Sequence, residues 1–160
     1  MGNGQIHKGE IMNDINQLKN RINTKTLNFL LLTIVTFGIY PLMWIHKNHN
    51  IISEVTKISI FKDSYTIIMA VCVGLESFAG FDIQIDLLLI IPEVVLGVFY
   101  VMFSLNARKA LQAYALNEYK IKLKMNYLYT IIFSAYYINY CINDLPNDLN
   151  KSQLSGDNIA

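Results

Sequence analysis

Charge is what this sequence has least of. Only 16% of its 160 residues are Asp, Glu, Lys or Arg, against 53% that are hydrophobic, and the mean hydropathy is positive. A water-soluble chain of this length has too little interior to hide so much apolar side chain. The net charge of +1 leaves none of the concentrated basic surface that nucleic-acid binders carry, so no DNA or RNA partner is expected. The two cysteines, Cys72 and Cys141, sit inside apolar runs, where a thiol behaves as a small hydrophobe. Their spacing fits no zinc or redox motif, and no disulfide is expected. Missing too are G-x-S-x-G, H-E-x-x-H, a phosphate-binding loop and the dinucleotide glycine pattern, so the reading is non-enzymatic, with no cofactor and no metal. The first apolar run lacks a small-x-small cleavage pattern, and Ile6 stands where myristoylation wants Ser or Thr.

Long uncharged runs are what is there. Twenty residues without a charge lie between Lys25 and His46, and about 20 apolar residues cross ~30 Å of hydrocarbon as a helix. Gly38 and Pro41 fall inside that run, as membrane helices tolerate. Between Asp63 and Asp82 only Glu76 interrupts, and between Asp86 and Arg108 only Glu93. The short Asp82–Asp86 link makes these two a tight antiparallel hairpin, unless both are shallow re-entrant segments. A fourth run, 125–143, has no charge and many tyrosines.

The fold expected is an all-α polytopic transmembrane helical bundle of about four spans with interfacial amphipathic connectors. A polar, amphipathic tail covers 1–25, with an apolar stripe at Ile11, Ile15, Leu18 and Ile22. The transmembrane domain covers 26–145, with spans at about 26–45, 64–81, 87–105 and 125–143, and a polar tail covers 146–160. Four crossings would put the connectors, with Lys47, Lys57, Lys62, Arg108, Lys109, Lys120, Lys122 and Lys124, on one side. Lys8, Lys19, Arg21, Lys25 and Lys151 would lie on the other. The positive-inside count makes the connectors cytoplasmic, while Lys19, Arg21 and Lys25 on a short tail argue the reverse. Spans one and four also echo each other: Thr33–Tyr40 aligns with Thr130–Tyr137 at a threonine, an aliphatic pair, a small residue and a tyrosine. Two spans running oppositely would make that an inverted repeat.

The stretch Thr36 to Asn50, TFGIYPLMWIHKNHN, resembles the signature of a family of small bacterial membrane proteins, the domain of unknown function 4234 family. Its apolar helix ends in T-x-G-I-Y-x-x-x-W before a Lys- and Asn-rich segment, matched here by Thr36, Gly38, Ile39, Tyr40, Trp44, Lys47 and Asn50. The closing Tyr137 to Leu145 is similar to that family's last helix, whereas the middle hairpin adds little. The resemblance implies a multi-pass protein of a prokaryotic cytoplasmic membrane and names no activity. Physically, Tyr40, Trp44 and Lys47 read as an interfacial anchor, with Thr36 and Gly38 in the same motif.

Two carboxyls stand where a membrane would make them costly. Counted from the Asp82–Asp86 turn, Glu76 and Glu93 reach one depth, about 9–10 Å from the surface. There a charged carboxylate costs on the order of 3 kcal/mol. Thr33, Tyr137 and Asn139 fall near that depth, so these five residues form an expected intramembrane polar layer. His46 and His49 are three apart, but no nearby acid or cysteine completes a metal site, and they read as solvated interfacial histidines.

The sequence therefore describes a membrane interaction or regulatory module that binds the bilayer and other membrane proteins or itself. One alternative is a small proton or cation transporter or channel-like protein using the glutamate layer. A further alternative is a protein that confers immunity to a membrane-acting toxin.

Overall fold

The computed structural model describes residues 16–78 and 86–154, and is helical throughout, with no strand among the described residues. A helical segment at 16–22 leads into α1 (Thr26–Val35), α2 (Ile39–Thr56), α3 (Asp63–Phe78), α4 (Asp86–Tyr119) and α5 (Tyr127–Leu154). Lys8, Ile11, Ile15, the turn residues 82–85 and the tail residues 155–160 lie outside the described residues.

The run 26–45, expected as a single span, is divided between two helices. Phe37 (φ 50) and Gly38 (φ 89) both take the left-handed conformation, which ends α1 and turns the chain back on itself. The Phe29 ring consequently lies 5.3 Å from Tyr40 and 5.4 Å from Trp44, both edge-on. Fifteen residues of straight helix would put Phe29 and Trp44 about 22 Å apart. α1 and α2 are thus the two arms of a helical hairpin with its tip at Thr36–Gly38.

The run 125–143 turns in the same manner. Ser134 (φ 44, ψ −125) interrupts α5, and the Asn126 N–H donates to the Tyr137 hydroxyl at 2.9 Å. A straight helix would separate those residues by about 16 Å. The Ser134 hydroxyl pins this second tip to α4, with 2.9 Å to the Tyr100 carbonyl and 2.7 Å to Ser104 Oγ. Between these two hairpins stands a third, α3 packed on α4. The Tyr65 and Phe99 rings meet at 5.3 Å, which fixes their antiparallel register.

Three hairpins give the molecule a base and a tip end. Arg21 pairs with Glu54 at 2.7 Å, and Lys57 with Glu118 at 3.6 Å. Asn106 donates to the Ile60 carbonyl, and Asn143 to the Thr24 carbonyl at 2.8 Å. These contacts gather the segment 16–25, the ends of α2 and α4, and the outer part of α5 at one end. Three base helices stop on a left-handed residue, Asn23, Lys57 and Lys120, each followed by a short non-helical connector. α4 and α5 both run past the expected span ends: α4 through the 106–119 part of the second connector, and α5 through Pro146 to Leu154.

Helical spacing explains the core. Leu42, Ile45, His49, Ile52 and Thr56 form the inward stripe of α2, and Ala135, Ile138, Asn139, Ile142 and Leu145 that of α5. Leu18 and Ile22, from the expected tail stripe, are buried against them. The base half of α4 is lined with Phe103, Ala107, Ala110, Leu111 and Tyr114, all buried. Its other half leaves Ile90, Ile91, Val94 and Val98 exposed, and Leu27, Ile34, Val35, Ile67, Val71, Ile132 and Phe133 do the same elsewhere. Among the described residues, one helical stretch, Ile90–Tyr119, is long and apolar enough to cross a membrane. Only 22% of its apolar window is buried inside the protein, unlike the core helix of a soluble domain.

Candidate functional site

The T-x-G-I-Y stretch forms the first tip, and it satisfies its own backbone. Thr36 N–H donates to Leu32 O, Phe37 N–H to Ile34 O, Gly38 N–H to Thr33 O and Ile39 N–H to Thr36 O. The Thr36 hydroxyl donates to Leu32 O at 2.7 Å and accepts from the Tyr40 N–H at 2.9 Å. Gly38 supplies the left-handed residue at which a side chain is strained. A turn with no orphan N–H can lie in an apolar medium where open backbone cannot, and Phe37, 97% exposed, projects from it. Tyr40 and Trp44, expected to anchor in headgroups, instead grip Phe29. Trp44 is 2% exposed, and its other ring contact is Phe103 at 6.2 Å. Of the three anchor residues only Lys47 is exposed, at the base.

The five residues of the expected polar layer are not joined to one another by any hydrogen bond among the described residues. Thr33 donates to its own helix at Phe29 O, and Tyr137 accepts from Asn126 toward the base. Asn139 is fully buried, and neither its amide nitrogen nor its oxygen has a partner. Glu76 continues the inward stripe of α3 after Thr66, Met69 and Cys72; its Oε1 is buried and unpartnered. Glu93 is exposed beside the inward stripe of α4. The two carboxyls lie in the tip half of one hairpin but on different faces.

Sequence reasoning missed a polar cluster at the base. His49 is fully buried, not solvated, and its Nε2 meets Asp63 Oδ1 at 2.7 Å while Nδ1 meets the Ile45 carbonyl at 3.0 Å. Both partners are acceptors, so the two bonds coexist only when both ring nitrogens carry protons. Asn50 also donates to Asp63, and His46 lies 3.2 Å from the Thr66 hydroxyl. Donation from His49 first, then Asn50, holds the Asp63 carboxyl below the usual carboxylate range. Arg21 does the same for Glu54. An acid fourteen residues beyond a histidine carries no local spacing signal; only folding α3 back onto α2 joins them. No group of three metal-ligating side chains occurs among the described residues.

The cations define the rest of the base. No Lys or Arg occurs within 26–46, 63–107 or 125–150, the stretches that build most of the three hairpins. Two hollows flank this division. One, of about 670 Å³, lies toward the tips between Thr33, Gly38, Gly97, Tyr100 and the second turn at Phe133–Ser134. The other, of about 760 Å³, lies at the base beside the 120–126 connector.

A family model described as Domain of unknown function (DUF4234) matches residues 24–113. The matched stretch begins at the base of the first hairpin and ends within the base half of α4. The middle hairpin therefore belongs to the likeness, and the closing Tyr137–Leu145 helix falls outside the match. No curated protein and no solved structure matches the chain.

Proposed function

The chain belongs to the DUF4234 domain family, and from its division into an apolar tip end and a cationic base we propose a non-enzymatic membrane interaction module. The tip end enters the bilayer, and the base stays at one face of it, binding other membrane proteins or a second copy. The single observation that carries this reading is the segregation of charge: every described Lys and Arg lies at or beside the base, while exposed aliphatic side chains crowd the tips. Burying that apolar surface in lipid stabilises by about 25 cal/mol per Å².

The hairpins differ in reach. α1, of 10 residues, extends about 15 Å, half the hydrocarbon thickness, whereas α3, of 16, extends about 24 Å. Only the middle hairpin approaches a full crossing; its neighbours dip in from the base side and return. By the positive-inside rule the base faces the cytoplasm of a prokaryote. Extraction of cell membranes at alkaline pH tests the embedding. The chain is expected to stay in the pellet and to leave it only with detergent, and release into the aqueous supernatant refutes the reading.

Glu76 favours a second reading, proton or cation movement. Its buried, unpartnered oxygen lies within electrostatic range of Tyr100, which an ion site could use. Flux in proteoliposomes that Glu76→Gln abolishes would support transport; equal leak with and without protein would end it.

A further inference from the structure

The connector between α4 and α5 alternates with the period of an extended chain. Ile121, Leu123 and Met125 are buried, while Lys120, Lys122, Lys124 and Asn126 are exposed. α4 holds this strap in place: Arg108 donates twice to the Met125 carbonyl, at 3.2 and 3.1 Å, and Gln112 donates to the Leu123 carbonyl at 3.1 Å. Alternate side chains of an extended strand stand about 6–7 Å apart on one face. Lys122 and Lys124 therefore stand in a row on one face, and neither ammonium has a carboxylate partner among the described ion pairs.

Beside this row opens the 760 Å³ hollow, walled by Lys122, Lys124, Asn126, Tyr129, Tyr137 and Tyr140. Its aromatic wall is already arranged. Tyr137 stacks on Tyr140 at 6.3 Å and 16°, meets Tyr129 edge-on at 5.9 Å, and holds the Asn126 N–H. Ala113 and Leu116 give the hollow an apolar side. Two acids, Asp144 and Asp148, follow on α5 and act on the Tyr140 hydroxyl. They disfavour an anion at that end and leave the lysine end to it. Toward the tips the hollow is followed by exposed Leu128 and Ile132, which an acyl chain can cover.

Unneutralised cations, hydroxyl donors, an apolar wall and an apolar exit fit one amphiphile. We propose that this hollow binds the headgroup of an anionic phospholipid, with Lys122 and Lys124 on its phosphate and the tyrosines along its glycerol region. The site rests on the membrane reading above, and it names what the base recognises.

The test uses the full chain purified in neutral detergent and offered phosphatidylglycerol or phosphatidylcholine with identical acyl chains, with retained lipid read by native mass spectrometry. Phosphatidylglycerol is expected to be preferred by on the order of tenfold, since each lysine near an anionic headgroup contributes attraction. Lys122→Gln/Lys124→Gln should lose that preference. The charge-matched control Lys19→Gln/Lys25→Gln should keep it. Equal retention of both lipids overturns the proposal, as does equal loss in the control pair. Displacement of the lipid by millimolar inorganic phosphate also overturns it, because a soluble phosphate would then be the ligand. Alkaline extraction of the same membranes separates the two failures: a chain that stays embedded without lipid preference loses only this site.

Discussion

Trp44 is the chain's one tryptophan, which makes its surroundings measurable. An interfacial anchor would emit at long wavelength and be quenched by iodide. Buried between Phe29 and Phe103, it should emit in the blue and resist iodide. Trp44→Ala should cost about 3–5 kcal/mol, as emptying a packed core site does, and Trp44→Phe much less, because Nε1 has no partner to lose. A thermal melt in detergent distinguishes these outcomes. Lys57 works in the other direction. Its φ of 58 imposes a left-handed strain of about 1 kcal/mol on a non-glycine residue, while its 3.6 Å pair with Glu118 is exposed and worth little. Lys57→Gly should therefore raise the melting temperature. Gly38→Ala should lower it by the equivalent of about 1–2 kcal/mol, through backbone strain alone, because an added methyl meets nothing within 4 Å.

At the scale of the element, the hairpin replaces the span as the building unit. Runs without charge were legible, and they do mark the apolar segments. What a run of hydrophobic residues does not encode is whether the chain passes on or turns back, because both solutions bury the same side chains. The turn was written in Thr36 and Gly38, whose bonding role appears only once the tip is closed. The echo of Thr33–Tyr40 in Thr130–Tyr137 gains a physical basis here. It superposes Phe37 on Ser134, both at positive φ, and Thr33 on Thr130, each donating to the carbonyl four residues back. The same offset of 97 residues carries Asn23 onto Lys120, again both at positive φ. Both segments run from base to tip and back, so the two hairpins repeat in the same sense and are not inverted. One pH effect belongs to this scale, since His49 and Asp63 join α2 to α3. The Asp63 carboxyl has a lower pKa folded than unfolded, so its contribution is present at neutral pH and is lost as pH falls below about 4, the ordinary carboxylate value. Melting temperature in detergent should drop over that interval, and Asp63→Asn should flatten the drop while lowering the neutral-pH value.

On the proposed membrane reading, the decisive quantity for the whole molecule is on which side of the bilayer each end of each apolar run emerges. Four independent crossings would carry Lys25 and Lys47 to opposite faces, and would likewise separate Lys19 and Lys151 from Lys57 and Lys120. Paired hairpins return all six to one face, and that arrangement removes the conflict in the charge count, because the basic tail and the basic connectors no longer compete for the cytoplasm. The Arg21–Glu54 and Asn143–Thr24 contacts favour it, since each ties the foot of the first hairpin to an element on the far side of a turn. Single cysteines at 19, 25, 47, 57, 120 and 151, in a background with Cys72 and Cys141 replaced by alanine, can be labelled with an impermeant maleimide in sealed vesicles of known orientation. All six should react from the same side. If position 47 reacts from the face opposite to position 25, the first hairpin is a span after all, and the one-sided cationic base dissolves with it.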